Sequence, residues 1–199
     1  MPYLRLLLLL VAPIVAFCQD AGIQKSLLQD TGDKALERSY LLYVPENLHR
    51  QPALVVVMHG YSSSSENIMR YSGMNEIAST QGFIVAYPQG TIDHKGNAFF
   101  NVGYAFHRDL VIDDLSFIKA MVTNIINDYG VNPKKIFATG MSNGGDMSYL
   151  LACEASSIFR AVAPIAGSML QETVERCLPE RKVPIMAVSG TKDPVTLYA

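Results

Sequence analysis

Leu54-Val55-Val56-Val57 is an unbroken apolar run, mostly β-branched, that stops at His59-Gly60, and it restricts the fold more than any other segment. A strand with one wet face alternates apolar and polar residues, so a continuous run belongs in a sheet covered on both faces. Runs of similar kind occupy 83–87 before Pro88, 136–139 before Gly140, 161–165 before Ala166-Gly167, and 185–188 before Ser189-Gly190. A sixth candidate strand, 39–44, alternates and stops at Pro45. Between them, Val111, Ile112, Leu115, Ile118, Val122, Ile125, Ile126 and Tyr129 recur at three- and four-residue spacing, which predicts a helix over 111–129 stopped by Gly130. A second helix is predicted over 143–153, burying Met147, Leu150 and Leu151, and a third over 72–80 before Gly82. Strands alternating with helices give right-handed βαβ units, so the fold class is α/β: a mostly parallel sheet with helices on both faces. Function in such a sheet sits at the carboxyl ends of its strands.

At 199 residues and 49% hydrophobic, the chain supports one sizeable core and one domain. Its formal net charge of −2 offers no electrostatic footprint for nucleic acid. Arg5, the apolar stretch 6–17 and the small residues Ala16 and Cys18 predict a signal peptide over 1–18, leaving 19–199 as the mature domain. The stretch is too short to span a bilayer comfortably, so a secreted protein, extracellular or periplasmic, is expected, without stable membrane insertion after cleavage. Lipidation at Cys18 is the rival reading, and Phe17 fits it poorly. Cys153 and Cys177 remain in the mature chain, as one disulfide in an oxidising compartment or as two buried thiols.

Gly140-Met141-Ser142-Asn143-Gly144, followed by Gly145, lies where the 136–139 strand meets the 143–153 helix. In a G-x-S-x-G bend the serine is strained, and residues two positions away must be nearly free of side chain. The bend lifts the hydroxyl above the sheet, and the helix N-terminus supplies donors for a developing oxyanion. Ser142 is therefore the expected nucleophile. Its oxyanion would be held by the backbone N–H of Asn143 and by that of Tyr61, with Gly60 as runner-up, since His59-Gly60-Tyr61 follows the most apolar strand. His59 itself is expected to brace its loop. The order Ser, then Asp or Glu, then His puts the orienting acid at Asp193, after the 185–188 strand.

All four histidines, His49, His59, His94 and His107, precede Ser142. His94 or His107 serving as base would break the chain order, so a chain truncated before its histidine, final strand and helix is the expectation. Asp113-Asp114 at the head of the long helix suit its dipole, and no His, Cys and carboxylate cluster has metal-ligand spacing. A serine peptidase on the same fold, or a non-catalytic protein of this architecture that binds ligand, are the alternatives.

Taken in order, His59-Gly60-Tyr61-Ser62, Gly82-Phe83-Ile84-Val85-Ala86-Tyr87-Pro88-Gln89-Gly90, Val111-Ile112-Asp113-Asp114, the Ser142 motif, Ala161-Val162-Ala163-Pro164-Ile165-Ala166-Gly167 and Gly190-Thr191-Lys192-Asp193-Pro194 resemble the polyhydroxybutyrate depolymerase and feruloyl esterase family of secreted α/β-hydrolases. The resemblance runs over about 36–199. It implies an α/β-hydrolase catalytic domain and hydrolysis of carboxylic esters through an acyl-enzyme, without metal or cofactor. The implied substrates are feruloyl or acetyl esters of polysaccharides, or a polyhydroxyalkanoate-type polyester. It also implies Ser142 as nucleophile, Asp193 as acid and a Cys153–Cys177 disulfide. Three departures stand out: no Trp near Phe100-Asn101-Val102-Gly103, Ser189 where His-Gly is usual, and no counterpart of the family's catalytic histidine.

Overall fold

A computed structural model describes residues 23–30 and 35–197; the segment predicted as a signal peptide, 1–18, lies outside them. The described residues form eight strands: β1 (Ile23–Asp30), β2 (Ala35–Tyr43), β3 (Leu54–Met58), β4 (Ile84–Pro88), β5 (Thr91–Ile92), β6 (Ala98–Phe99), β7 (Ile136–Met141) and β8 (Ala161–Ile165). Six make one sheet in the order β1-β2-β4-β3-β7-β8, and β5 and β6 make a small ribbon beside it. The pairs β4–β3, β3–β7 and β7–β8 are parallel, while β1–β2 and β2–β4 are antiparallel.

The continuous runs form the middle of this sheet, and their alternate residues feed two separate cores. Leu42, Leu54, Val56, Met58, Ile84 and Ala86 pack on one face against Phe117, Ile118, Met121, Val122 and Ile125 of α3 (Asp114–Tyr129) and Met147 and Leu151 of α4 (Asn143–Glu154). Leu41, Tyr43, Val57, Val85 and Tyr87 pack on the other against Ile68 of α1 (Ser65–Ser72) and Ala78 of α2 (Met74–Gln81). Period-2 alternation across a doubly covered sheet produces this split, and each buried aliphatic side chain contributes roughly 1.5–3 kcal/mol. No helix among the described residues is long and apolar enough to cross a membrane. Cys153 of α4 is disulfide-bonded to Cys177, just after α5 (Gln171–Arg176), with Cα atoms 5.5 Å apart.

Three element boundaries differ from expectation. The long helix begins at Asp114 rather than 111: Asp113 Oδ1 caps it by accepting the Ser116 N–H at 2.8 Å, and Val111 outside the cap is 87% exposed. The helix expected over 72–80 is α2, which starts at Met74 because Gly73 takes a left-handed φ of 61° and separates it from α1, a helix not expected from the sequence. Residues 185–188 join β8 only through isolated bridges at Ile185 and Val188. Pro164 in β8 has no N–H to give, so the ladder is interrupted between the Met186 N–H bond to Val162 O and the Val188 N–H bond to Pro164 O, each 3.0 Å.

Asp114 does more than complement a helix dipole. Its carboxylate is buried, accepts from the Arg38 guanidinium of β2 and takes the Asn101 N–H at 2.6 Å. Arg38 also donates to Gln29 Oε1 at 3.0 Å and lies 4.0 Å over the Phe117 ring. Burial pushes the Asp114 pKa upward and Arg38 pulls it back. Removing one member of such a pair strands the other in low dielectric. Asp114→Ala is expected to lower unfolding free energy by about 3–5 kcal/mol in urea titrations, whereas the paired apolar change Arg38→Met with Asp114→Leu recovers most of that loss.

Candidate active site

The carboxyl ends of β3, β4, β7 and β8 open on one edge of the sheet, and the G-x-S-x-G segment crosses it. Ser142 occupies the N-cap of α4 with φ 54° and ψ −120°, a backbone conformation that L-residues rarely adopt. A serine at this position ordinarily caps its helix with its own hydroxyl. Here it does not: the backbone alone is engaged, with Ser142 N–H donating to Ile165 O and Ser142 O accepting from Asp146 N–H, both at 2.9 Å.

The flanking glycines are steric requirements. A Cβ on Gly140 would lie 2.4 Å from Gly144 O, and one on Gly144 would lie 2.3 Å from Met58 O and 2.6 Å from His59 O. Behind them, a Cβ on Gly145 would lie 2.9 Å from Ile165 O. The first turn of α4 thus rests directly on the backbone of three strand ends. Asn143, first in that helix, has no intrahelical acceptor for its N–H.

Opposite the bend stands the turn after β3. An ideal Cβ on Gly60 falls 3.3 Å from Met141 O and 3.5 Å from Ser142 Cβ, so the Gly60-Tyr61 backbone and Ser142 face one another closely. The turn is closed by Ser63 N–H to Gly60 O at 3.1 Å, and neither the Gly60 nor the Tyr61 N–H finds a protein acceptor among the described residues. The Gly60 turn and the first turn of α4 thus both lie beside Ser142 with N–H groups unspent, and donors so placed would suit capture of an oxyanion formed at that serine.

His59 holds the turn. It is fully buried; its Nε2 accepts the Gly90 N–H at 3.0 Å and its Nδ1 faces Gly60 O at 2.7 Å, which requires the neutral Nδ1–H tautomer. Both nitrogens are spoken for. The other histidines are also accounted for: His49 packs on Gly82 at the opposite, amino end of the strands, exposed His94 pairs with Asp109 at 2.9 Å, and His107 is buried with Nε2 3.2 Å from Asp93. Asp193 follows the 185–188 segment; its Oδ1 accepts N–H groups of Val195 at 2.9 Å and Thr196 at 3.0 Å, and these bonds hold its pKa below the usual carboxylate value. Thr196 Oγ1 ties that loop to Ala166 O at the end of β8.

Tertiary structure adds residues that local pattern did not reveal. The Asn143 side chain is buried and clamps Phe100, accepting its N–H at 2.7 Å and donating to its carbonyl at 2.9 Å. Asn143 Nδ2 also reaches Tyr104 Oη at 3.2 Å, and Tyr104 donates to Asp146, which in turn accepts the Ser168 N–H at 2.7 Å. Burial raises the Asp146 pKa, and the Tyr104 hydrogen bond opposes that rise. The one available signal was position: Asp146 lies one turn beyond Ser142 on the same helix face.

Two stability measurements follow. Burial lowers the His59 pKa from 6.5, with the Gly60 hydrogen bond opposing, so the unfolded chain binds the extra proton first. His59 therefore contributes stability that is complete above pH 6.5 and lost as pH falls below it; His59→Gln should flatten the pH dependence of unfolding free energy between about pH 7 and 5. Separately, Ser142→Gly is expected to exceed Ser142→Ala in unfolding free energy by about 1 kcal/mol, because only glycine relieves the bend.

Residues 38–199 match the family model described as Esterase PHB depolymerase. Feruloyl esterase B of Piromyces equi is 32% identical over 147 residues, covering 73% of this chain and 27% of that protein. Poly(3-hydroxyalkanoate) depolymerase C of Paucimonas lemoignei is 27% identical over 165 residues, covering 82% and 40%. The solved acetyl xylan esterase from Aspergillus awamori superposes with a TM-score of 0.58 at 27% identity, over 71% of this chain and 51% of that one. The chain thus spans between about a quarter and about half of the length of these relatives.

Proposed function

We propose that this chain, which belongs to the Esterase PHB depolymerase family, carries the nucleophile and oxyanion hole of a secreted serine hydrolase that cleaves carboxylic esters through an acyl-enzyme. The observation that carries the reading is Ser142 itself, held at φ 54° with its hydroxyl withheld from capping and the Gly60 turn against it. Relatives named as feruloyl, acetylxylan and polyhydroxyalkanoate hydrolases support ester cleavage. We assign the substrate to feruloyl or acetyl esters on polysaccharide ahead of polyester.

In the proposed reaction Ser142 Oγ attacks the ester carbonyl and its proton passes to a histidine. The oxyanion is held by the N–H of Asn143 and that of Tyr61, with Gly60 in reserve. Collapse expels the alcohol, which takes the proton, and water then attacks the acyl-serine to release the acid. Asp193 remains ionised, consistent with its lowered pKa, and its Oδ2, unbonded among the described residues, orients the histidine. The base is not assigned to any of the four histidines in this chain: His59 spends both nitrogens, His49 stands at the wrong sheet edge, His107 is buried and His94 is paired with Asp109.

A fluorophosphonate probe tests the assignment. The full-length protein should label, and Ser142→Ala should abolish labelling while leaving the melting temperature within a few degrees. Absence of labelling in the folded full-length protein would favour a binding role for the fold. The 199-residue chain alone should show little turnover of a p-nitrophenyl ester; robust Ser142-dependent turnover would return the base to one of its own histidines.

A further inference from the structure

Phe106 is 63% exposed, an unusual position for so large an apolar ring. It is not loose. The Tyr104 ring stacks on it with centroids 5.1 Å apart and planes at 18°, the Tyr61 ring meets it edge-on at 6.4 Å and 88°, and His107 packs beneath at 4.4 Å. Both tyrosines are fixed relative to Ser142. Tyr104 Oη accepts from Asn143, the residue after Ser142, and donates to Asp146 one turn on. Tyr61 follows Gly60, which touches the bend, and its hydroxyl donates to Asp93 and accepts from Asn97 at 3.1 Å. Phe106 therefore stands one tyrosine side chain away from the residues that flank the candidate nucleophile.

The polar groups around this aromatic cluster are already consumed. Asp93 accepts N–H groups of Lys95 and Asn97 on Oδ1 and faces Tyr61 and His107 with Oδ2. The Asn143 amide and both Asp146 oxygens are likewise paired, and the unpartnered His107 Nδ1 is buried. A sugar ring needs an aromatic face together with free donors and acceptors for its hydroxyls, whereas an arene needs the face alone. Offset-stacked and edge-on partners are the two arrangements aromatic rings prefer, and both are already in use here.

We propose that Phe106, seated on Tyr104 and Tyr61, is a specificity-determining residue that stacks against an aromatic ring carried by the acyl group of the ester substrate. This deepens the esterase reading and rests on it for the word substrate, though ring binding is measurable without turnover. In the full-length Ser142→Ala protein, binding of methyl 4-hydroxycinnamate is followed by saturation-transfer NMR or equilibrium dialysis, beside a xylo-oligosaccharide and methyl acetate. Phe106→Ala should weaken the hydroxycinnamate roughly three- to tenfold, Phe106→Tyr should retain it, and the other two ligands should be unaffected. No measurable hydroxycinnamate binding to the parent, unchanged affinity in a folded Phe106→Ala variant, or a loss confined to the oligosaccharide would each overturn the proposal. Failure of the hydrolase reading is separately visible: Phe106-dependent ring binding without Ser142 labelling leaves an aromatic-ligand site, and labelling without Phe106 dependence leaves an esterase of other specificity.

Discussion

The contact on which the site depends is backbone against backbone: the first turn of α4 pressed onto the ends of β3, β7 and β8. Gly144 lies against the Met58 and His59 carbonyls, Gly140 against Gly144, and Gly145 against Ile165 O and Gly167. At such separations any Cβ collides with carbonyl oxygen rather than with a side chain that can swing away. The helix can start so close to the sheet only if the linking residue turns sharply, and Ser142 is that residue. Its strain is thus a consequence of packing, held in place by the two apolar cores above and below the sheet. The same closeness brings the Gly60 turn against the serine, so the serine and the backbone N–H groups facing it are set by one contact.

That contact was legible in the sequence because it is a local rule. Glycines at fixed offsets from a serine, between an apolar run and a helical pattern, leave few other backbone solutions. The central strands β3, β4 and β7 were legible for a related reason: a sheet buried on both faces writes continuous apolar runs. Strand β1 was not, because Ile23–Asp30 pairs only with β2, places Leu28 73% exposed and carries no clean alternation. The 185–188 run was apolar enough for a strand, yet a proline in its neighbour interrupts the ladder. The helix start was misjudged by three residues since Val111 and Ile112 continue the periodicity that Asp113 ends by capping.

The polar architecture was not legible, and the reason is separation along the chain. Arg38 meets Asp114 across 76 residues and Tyr104 meets Asp146 across 42. No spacing rule connects such partners; only the sheet order brings β2 beside the head of α3, and the loop after β6 beside α4. Asp113-Asp114 illustrates the limit well. Two adjacent carboxylates at a helix start look equivalent, but one is a surface cap and the other is half of a buried ion pair.

These pairings decide what chemistry is left over around Ser142. His59, Asn143, Asp146, Asp93 and Tyr61 spend their polar atoms on one another and on backbone, so they fix loops and have little capacity to bind ligand. A group already satisfied in a dry environment is costly to disengage. What remains uncommitted near the bend is the serine hydroxyl, the N–H groups of the Gly60 turn and of the α4 N-terminus, and the aromatic surface of Phe106. A hydroxyl, unspent backbone N–H groups and a flat apolar face are therefore the features left uncommitted, while the charged and amide side chains nearby serve as scaffold. The division explains how a site rich in carboxylates and histidine can still present a largely neutral, backbone-lined surface.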